Sequence, residues 1–295
     1  MNAGSVKVKG FASGIAAAVC YGTNPLGTLR LYAEGYNSCS VLIYRYALAV
    51  LMFAVVMLVR GETFRIKWGH AIRFAFLGAF FALSSTTLYL SFRHMEAGIA
   101  STLLFVYPIM TAVLMTAFFH ERVTWTTTLA IVLAVAGVVM LYHGDGTVRL
   151  STAGFSLVMV SSLLYSFYII SADRWQVEMT GVKFTFWVLV FCLLTIMAFA
   201  WVSGEEFQWL RTPADWACGL QLALLPTVLS LFLMTVSIKL IGATPSAIMG
   251  ALEPVTAVCI GVLVYGESFS LRLAFGILLI LAGVVLVIMK KKGAK

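Results

Sequence analysis

Residues 241–267 read IGATPSAIMGALEPVTAVCIGVLVYGE, and residues 95–121 read MEAGIASTLLFVYPIMTAVLMTAFFHE. A single offset of 146 places Pro108 on Pro254, Tyr107 on Glu253 and Glu121 on Glu267. The offset runs on to Ala136-Gly137-Val138-Val139 against Ala282-Gly283-Val284-Val285, and back to Leu83-Ser84 against Leu229-Ser230. A gap-free register over this length is hard to produce by chance among apolar segments, so the chain reads as two copies of one unit. At an offset of 144, Gly10-Phe11 falls on Gly154-Phe155 and Tyr21 on Tyr165, which carries the repeat to the first helix of each copy. The copies are assigned to residues 1–145 and 146–295.

The chain is 61% hydrophobic and 11% charged with a mean hydropathy of +0.99, which is outside the soluble globular range. Apolar runs of about 20 residues, the length needed to cross a hydrocarbon core of about 30 Å, recur throughout. They cover approximately 10–30, 38–59, 70–92, 98–119, 125–143, 152–173, 183–203, 216–238, 243–265 and 270–289. Little chain remains between them for a soluble catalytic or binding domain. The predicted fold is an all-α integral membrane protein, with ten transmembrane helices as two inverted five-helix repeats around a central cavity. Inversion follows from parity: five spans per copy is odd, so the second copy enters the membrane upside down. Such repeats exchange conformations about an axis in the membrane plane, which suits a carrier working by alternating access better than an enzyme.

The net charge of +8 is placed for topology rather than for nucleic acid. Under this arrangement the outer side carries only Arg30, Arg93, Arg149, Arg211 and Arg272, while most other Lys and Arg fall inside. Both termini are therefore expected in the cytoplasm and the chain in the cell's inner or plasma membrane. Glu205, Glu206 and Asp215 cluster in one outer loop. The five cysteines read as small packing residues, with Cys39 and Cys218 the only plausible outer-side pair. No cleavable signal is recognised.

Glu253 carries the sharpest chemical signal. A charge near the middle of a span costs about 2.5–3.5 kcal/mol on insertion scales, so it calls for a partner, a cavity or a proton. Three readings stay open: a structural carboxyl in a kinked helix, a proton-coupling or gating group, and a direct ligand for a substrate amine. Ser246, Met249, Glu253 and Thr256 share one helix face. In span one, Tyr21, Asn24 and Thr28 form a stripe, Gly14, Ala18 and Gly22 allow close helix approach, and Pro25 frees the carbonyl near Tyr21. That stripe either satisfies itself within a kinked helix or faces a cavity. Tyr21, Tyr89, Tyr107, Tyr165 and Tyr168 lie away from the interfaces where aromatic belts form, and would suit an amphipathic small molecule if they are not core packing. Ser230 lies on the polar face of span eight. Arg45 is expected either to snorkel to the outer boundary or to hold a substrate carboxylate. Spans five and ten, with Ala130, Ala134 and Gly137 in one and Gly276 and Gly283 in the other, look like scaffold or dimer helices. Glu121 and Glu267 are expected near the starts of the helices that follow them, capped by Thr124 and Ser270. The four histidines stand singly, and no catalytic, metal or cofactor motif is present.

The closing stretches of the copies, FVYPIMTAVLMTAFFHERVTW with AVAGVVML and ALEPVTAVCIGVLVYGESFSL with LAGVVLVI, resemble the EamA-like repeats of the drug/metabolite transporter superfamily. The resemblance implies an inverted five-plus-five basket around a central cavity, cytoplasmic termini, and export of amino acids or related metabolites, aromatic ones included. A multidrug or nucleobase/nucleoside exporter of the same fold is the alternative within transport, and a non-transporting scaffold or sensor the alternative outside it. The expected partners are a small-molecule substrate and the lipid bilayer, with no nucleic acid and no cofactor. Proton coupling, and a monomeric against a homodimeric state, stay open.

Overall fold

The apolar runs fold as helices. The computed structural model describes residues 3–119, 125–142, 151–175, 177–241, 246 and 249–293. In chain order the helices are α1 (Ala3–Gly22), α2 (Asn24–Ala33), α3 (Ser38–Val59), α4 (Trp68–Ser91), α5 (Ala97–Leu104), α6 (Tyr107–Phe119), α7 (Trp125–Tyr142), α8 (Thr152–Arg174), α9 (Gly181–Ser203), α10 (Pro213–Ala223), α11 (Ser230–Ile241), α12 (Leu252–Tyr265) and α13 (Leu271–Gly293). A π-helical turn over Leu224–Leu229 joins α10 to α11. Glu121, Thr124, His120 and His143 lie outside the described residues. Among the described residues, six stretches are long and apolar enough to cross a membrane: α3, α4, Ala97–Phe118, α8, α9 and Pro213–Ile241. Shorter apolar helices cover Thr128–Met140, Leu252–Tyr265 and Leu271–Leu286. The chain is therefore a multi-pass membrane protein.

Local chemistry sets the helix ends. Asn37 accepts the Ser40 N–H at 2.7 Å and starts α3, while Thr180 accepts that of Lys183 at 3.2 Å and starts α9. Thr212 and Asp215 form a capping box around Pro213 at the head of α10. Asp215 also accepts from the Tyr36 hydroxyl at 3.0 Å, so this acidic residue is buried and structural. Pro25 sits in the first turn of α2, and the chain breaks at Thr23 rather than bending smoothly.

Between lipid-facing helices there is no hydrophobic drive, so close packing and interhelical hydrogen bonds must hold them. The small residues serve that purpose. A Cβ on Gly10 would press on Leu240 and Ile241, and one on Gly154 on His94 and Met95. Those two pairs of neighbours are themselves 146 apart. On α7 a Cβ at Gly137 would meet Gly276 O and Ile280 Cγ1, both at 2.7 Å. On α13 a Cβ at Gly283 would meet Ala130 O at 2.7 Å and Ala134 N at 3.4 Å. Again 130 and 276, 134 and 280, and 137 and 283 are equivalent positions. α7 and α13 thus spend their small-residue faces on each other within one chain, so those faces are not left for a dimer. Across α4 and α8, Ser84 and Ser161 each donate a hydroxyl to the other's carbonyl, at 2.9 and 2.7 Å.

Glu267 departs from its expected place. Gly266, at φ +66°, reverses the chain after α12, and the Glu267 N–H bonds Gly261 O at 2.9 Å. The carboxylate then lies over Gly261, where a Cβ would collide with it, and reaches into the other half of the sequence. There it accepts the N–H groups of Ala97 at 2.7 Å and Gly98 at 3.0 Å, the orphan donors that open α5. The following helix is capped by Ser270, whose hydroxyl takes the Leu273 N–H at 3.1 Å. Burial pushes the Glu267 carboxyl above its ordinary 4.5, opposed by those two N–H groups.

Candidate functional site

Two helix breaks supply the candidate site. The first ends α5 at Leu104 and restarts as α6 at Tyr107-Pro108; the second precedes α12 at Ala251 and restarts at Leu252, just before Glu253-Pro254. Each proline removes a donor, so each helix must restart there. At Gly250 a Cβ would stand 3.7 Å from Glu253 Oε1 and 3.8 Å from Phe105 Cζ, so the carboxyl turns back along its own break toward the other one. Tyr21, Tyr107 and Tyr165 all lie within electrostatic reach of it. Among the described residues no side chain or N–H bonds the Glu253 carboxyl, and the residue keeps partial exposure although it is surrounded by helices. Tyr21, Tyr107, Tyr165, Tyr168 and Met249 share that state, inside the packing yet still partly accessible. Tyr107 meets Tyr165 edge-on at 4.6 Å, Tyr165 stacks near Tyr168 at 5.7 Å, and Phe81 touches both, at 6.1 and 5.2 Å.

A second cluster lies beside the first. Arg45 does not snorkel: it is 3% exposed, with Nε donating to Thr227 Oγ1 at 3.0 Å and Nη1 to the Tyr89 hydroxyl at 2.8 Å. Tyr89 donates onward to Asn24 Oδ1 at 3.2 Å, and Asn24 Nδ2 donates to the Tyr21 carbonyl at 2.9 Å. That last bond fills the acceptor freed by Pro25. The guanidinium also lies over the Tyr46 ring at 5.1 Å, and Tyr46 leads to Phe81 at 5.9 Å. Asn24 and Tyr89 are thus buried members of a polar relay, and the relay ends at Tyr21, on the edge of the partly accessible group.

The chain as a whole has counterparts among known proteins. The EamA-like transporter family matches residues 8–143 and again 152–289. The chain belongs to that family. This transporter is 24% identical to an uncharacterized transporter, YdfC, of Bacillus subtilis, over 89% of its own chain and 85% of the relative. It is 26% identical to the chloramphenicol-sensitive protein RarD of Pseudomonas aeruginosa, over 88% and 87%. A crystal structure superposes with a TM-score of 0.67 at 16% identity, covering 97% of this chain and 99% of that one. That superposition shows a fold shared along nearly the whole of both chains.

The remaining candidates take packing places in this transporter. Met249 stands against α1, where a Cβ on Gly14 would come within 3.2 Å of it, and Thr256 bonds Leu252 O at 2.8 Å while lying against Gly22. Ser246 pairs with Ser237 at 2.8 Å. The face shared by Ser246, Met249 and Thr256 is therefore largely a seam with α1 and α11, and Glu253 is its one charged member. Ser230 is buried at the head of α11. All five cysteines are free thiols, Cys39 and Cys218 included. Sequence reasoning passed over Thr227 as a partner of Arg45. The signal was Pro226: in mid-span it forces an irregular turn, and the π turn aims Thr227 at α3.

Proposed function

We propose that this transporter is a secondary carrier of ten spans that exports small amphipathic metabolites, amino acids first among them, from the cytoplasm across the cell's inner membrane. Its halves, 1–145 and 146–295, form inverted five-helix repeats that exchange conformations by alternating access, with both termini cytoplasmic. The reciprocal contacts support this, since residue i meeting j′ while j meets i′ is the signature of a two-fold relation. Five spans per half then orient the halves oppositely.

The observation that carries the reading is the Glu253 carboxyl. It is partly accessible, has no hydrogen-bond partner among the described residues, and stands among Tyr21, Tyr107 and Tyr165 where the two breaks meet. A scaffold would satisfy that group internally, whereas a carrier keeps it for a cargo amine or a proton. Flux of a radiolabelled amino-acid panel into proteoliposomes, with and without a pH gradient, tests it. The expected outcome is flux in the parent that Glu253→Gln cuts by at least about tenfold; a parent that moves none of the panel overturns the reading.

A further inference from the structure

We infer that Arg45 is the seat for the cargo's carboxylate, so that this transporter selects small monocarboxylates over their uncharged analogues; the inference rests on the transport reading above. Arg45 lies about 10 Å along α3 from its first residue, and the side chain turns inward with 3% of it exposed. Its hydrogen-bond acceptors, Thr227 Oγ1 and the Tyr89 hydroxyl, are neutral, and the ring beneath it, Tyr46, is neutral too. No carboxylate pairs with it among the described residues. Glu253 has no partner among the described residues either, and Tyr21 lies within reach of both charges.

A bridge between α3, α4 and the π turn needs N–H groups but no positive charge. A glutamine could donate to the same hydroxyls without the heavy desolvation of an uncompensated buried cation. The charge therefore needs an anion that comes and goes. Guanidinium has five N–H donors, and its flat fork matches a carboxylate. One positive charge in a poorly solvated site matches one negative charge, which favours a monocarboxylate over a doubly charged phosphate ester.

The surroundings fix the rest of the ligand. From Arg45 the buried Tyr46 ring leads to Phe81, and Phe81 to Tyr165 and Tyr168, at 5.1 to 6.1 Å steps; these last three stay partly accessible and form a surface for an aromatic or branched aliphatic group. The relay through Tyr89 and Asn24 ends at the Tyr21 carbonyl, beside the break between α1 and α2. Filling the Arg45 seat thus acts on a hinge, which would tie carboxylate binding to movement of α2.

The test compares acids with their amides. Purified full-length transporter in detergent would be titrated with L-phenylalanine, L-leucine and phenylacetate, each beside its amide, and the same pairs used for flux in proteoliposomes. The parent is expected to prefer each acid by about tenfold or more, the size of one charge-assisted hydrogen bond. Arg45→Gln should bring the ratio near one while amide binding persists, and Arg45→Lys should keep a reduced preference. An equal response to acid and amide in the parent, or an unchanged ratio in Arg45→Gln, overturns the inference and leaves transport standing. A parent that binds and moves none of these compounds overturns both. Should the glutamine variant fail to fold, the parent's own acid-to-amide ratio decides.

Discussion

The breaks at Phe105–Pro108 and Ala251–Pro254 share backbone logic and differ in chemistry. In the first, Tyr107 is partly accessible but engaged: Phe105 and Tyr165 take its ring edges at 5.7 and 4.6 Å, and its carbonyl accepts the Ser166 hydroxyl at 3.0 Å and that of Thr111 at 2.8 Å. In the second, the equivalent residue is Glu253, whose carboxyl meets no hydrogen-bond partner among the described residues. One break is engaged by its own protein, and the other keeps a carboxyl without a partner among the described residues. A duplicated backbone therefore does not duplicate chemistry at every aligned position, and the proposed function rests on that asymmetry.

Substitution at those two positions is the strongest way to break this contrast. Glu253→Gln should cut flux by at least about tenfold, as one charge-assisted hydrogen bond would. Tyr107→Phe keeps the ring contacts and loses a hydroxyl with no partner among the described residues, so flux should change by less than about threefold. Comparable losses in both would mean that the breaks act as equals. Tyr107→Glu sharpens the point from the other side: a second carboxyl among Phe105 and Tyr165 should lower stability by about 1–3 kcal/mol, read as a fall in melting temperature in detergent.

The seam between α7 and α13 offers a symmetrical control, because there the halves do behave alike. Gly137→Ala drives a methyl into Gly276 O and Ile280, and Gly283→Ala drives one into Ala130 O. Backbone cannot yield as a flexible side chain can, so each should cost about 1–3 kcal/mol. The two losses should be close to each other. A large inequality would show that the seam is less reciprocal than its contacts.

Much of this was open to reading from the sequence. The 146-residue register located both breaks, and the small-residue faces at Gly14, Gly137 and Gly283 announced close approach, because a missing Cβ has a direct geometric consequence. What resisted was the direction of long polar side chains. Arg45 could reach outward to the boundary or inward to Tyr89 with the same sequence around it, and only the π turn that delivers Thr227 decides the matter. Glu267 failed for a related reason. Its nearest helix in sequence is the one it precedes, but the reversal at Gly266 carries its carboxylate to the start of α5, a helix some 170 residues away in the chain.

That crossing carboxylate gives the smallest of the expected effects. Burial raises the Glu267 carboxyl above its ordinary 4.5, with the N–H groups of Ala97 and Gly98 opposing and the nearby Glu96 adding to the rise. The folded transporter then holds a proton there that the unfolded chain has released, so stability contributed by this group is complete below about 4.5 and declines as pH rises through the raised value. Melting temperature in detergent should fall across that window by more in the parent than in Glu267→Gln, whose amide cannot titrate. The variant should also lose one of the two caps on α5, so its melting temperature lies below the parent's, and the gap should be widest below about 4.5 and narrow as pH rises. A parent curve parallel to that of the variant would mean that the two N–H groups offset burial in full, and that the carboxylate on α5 titrates as it does in the unfolded chain.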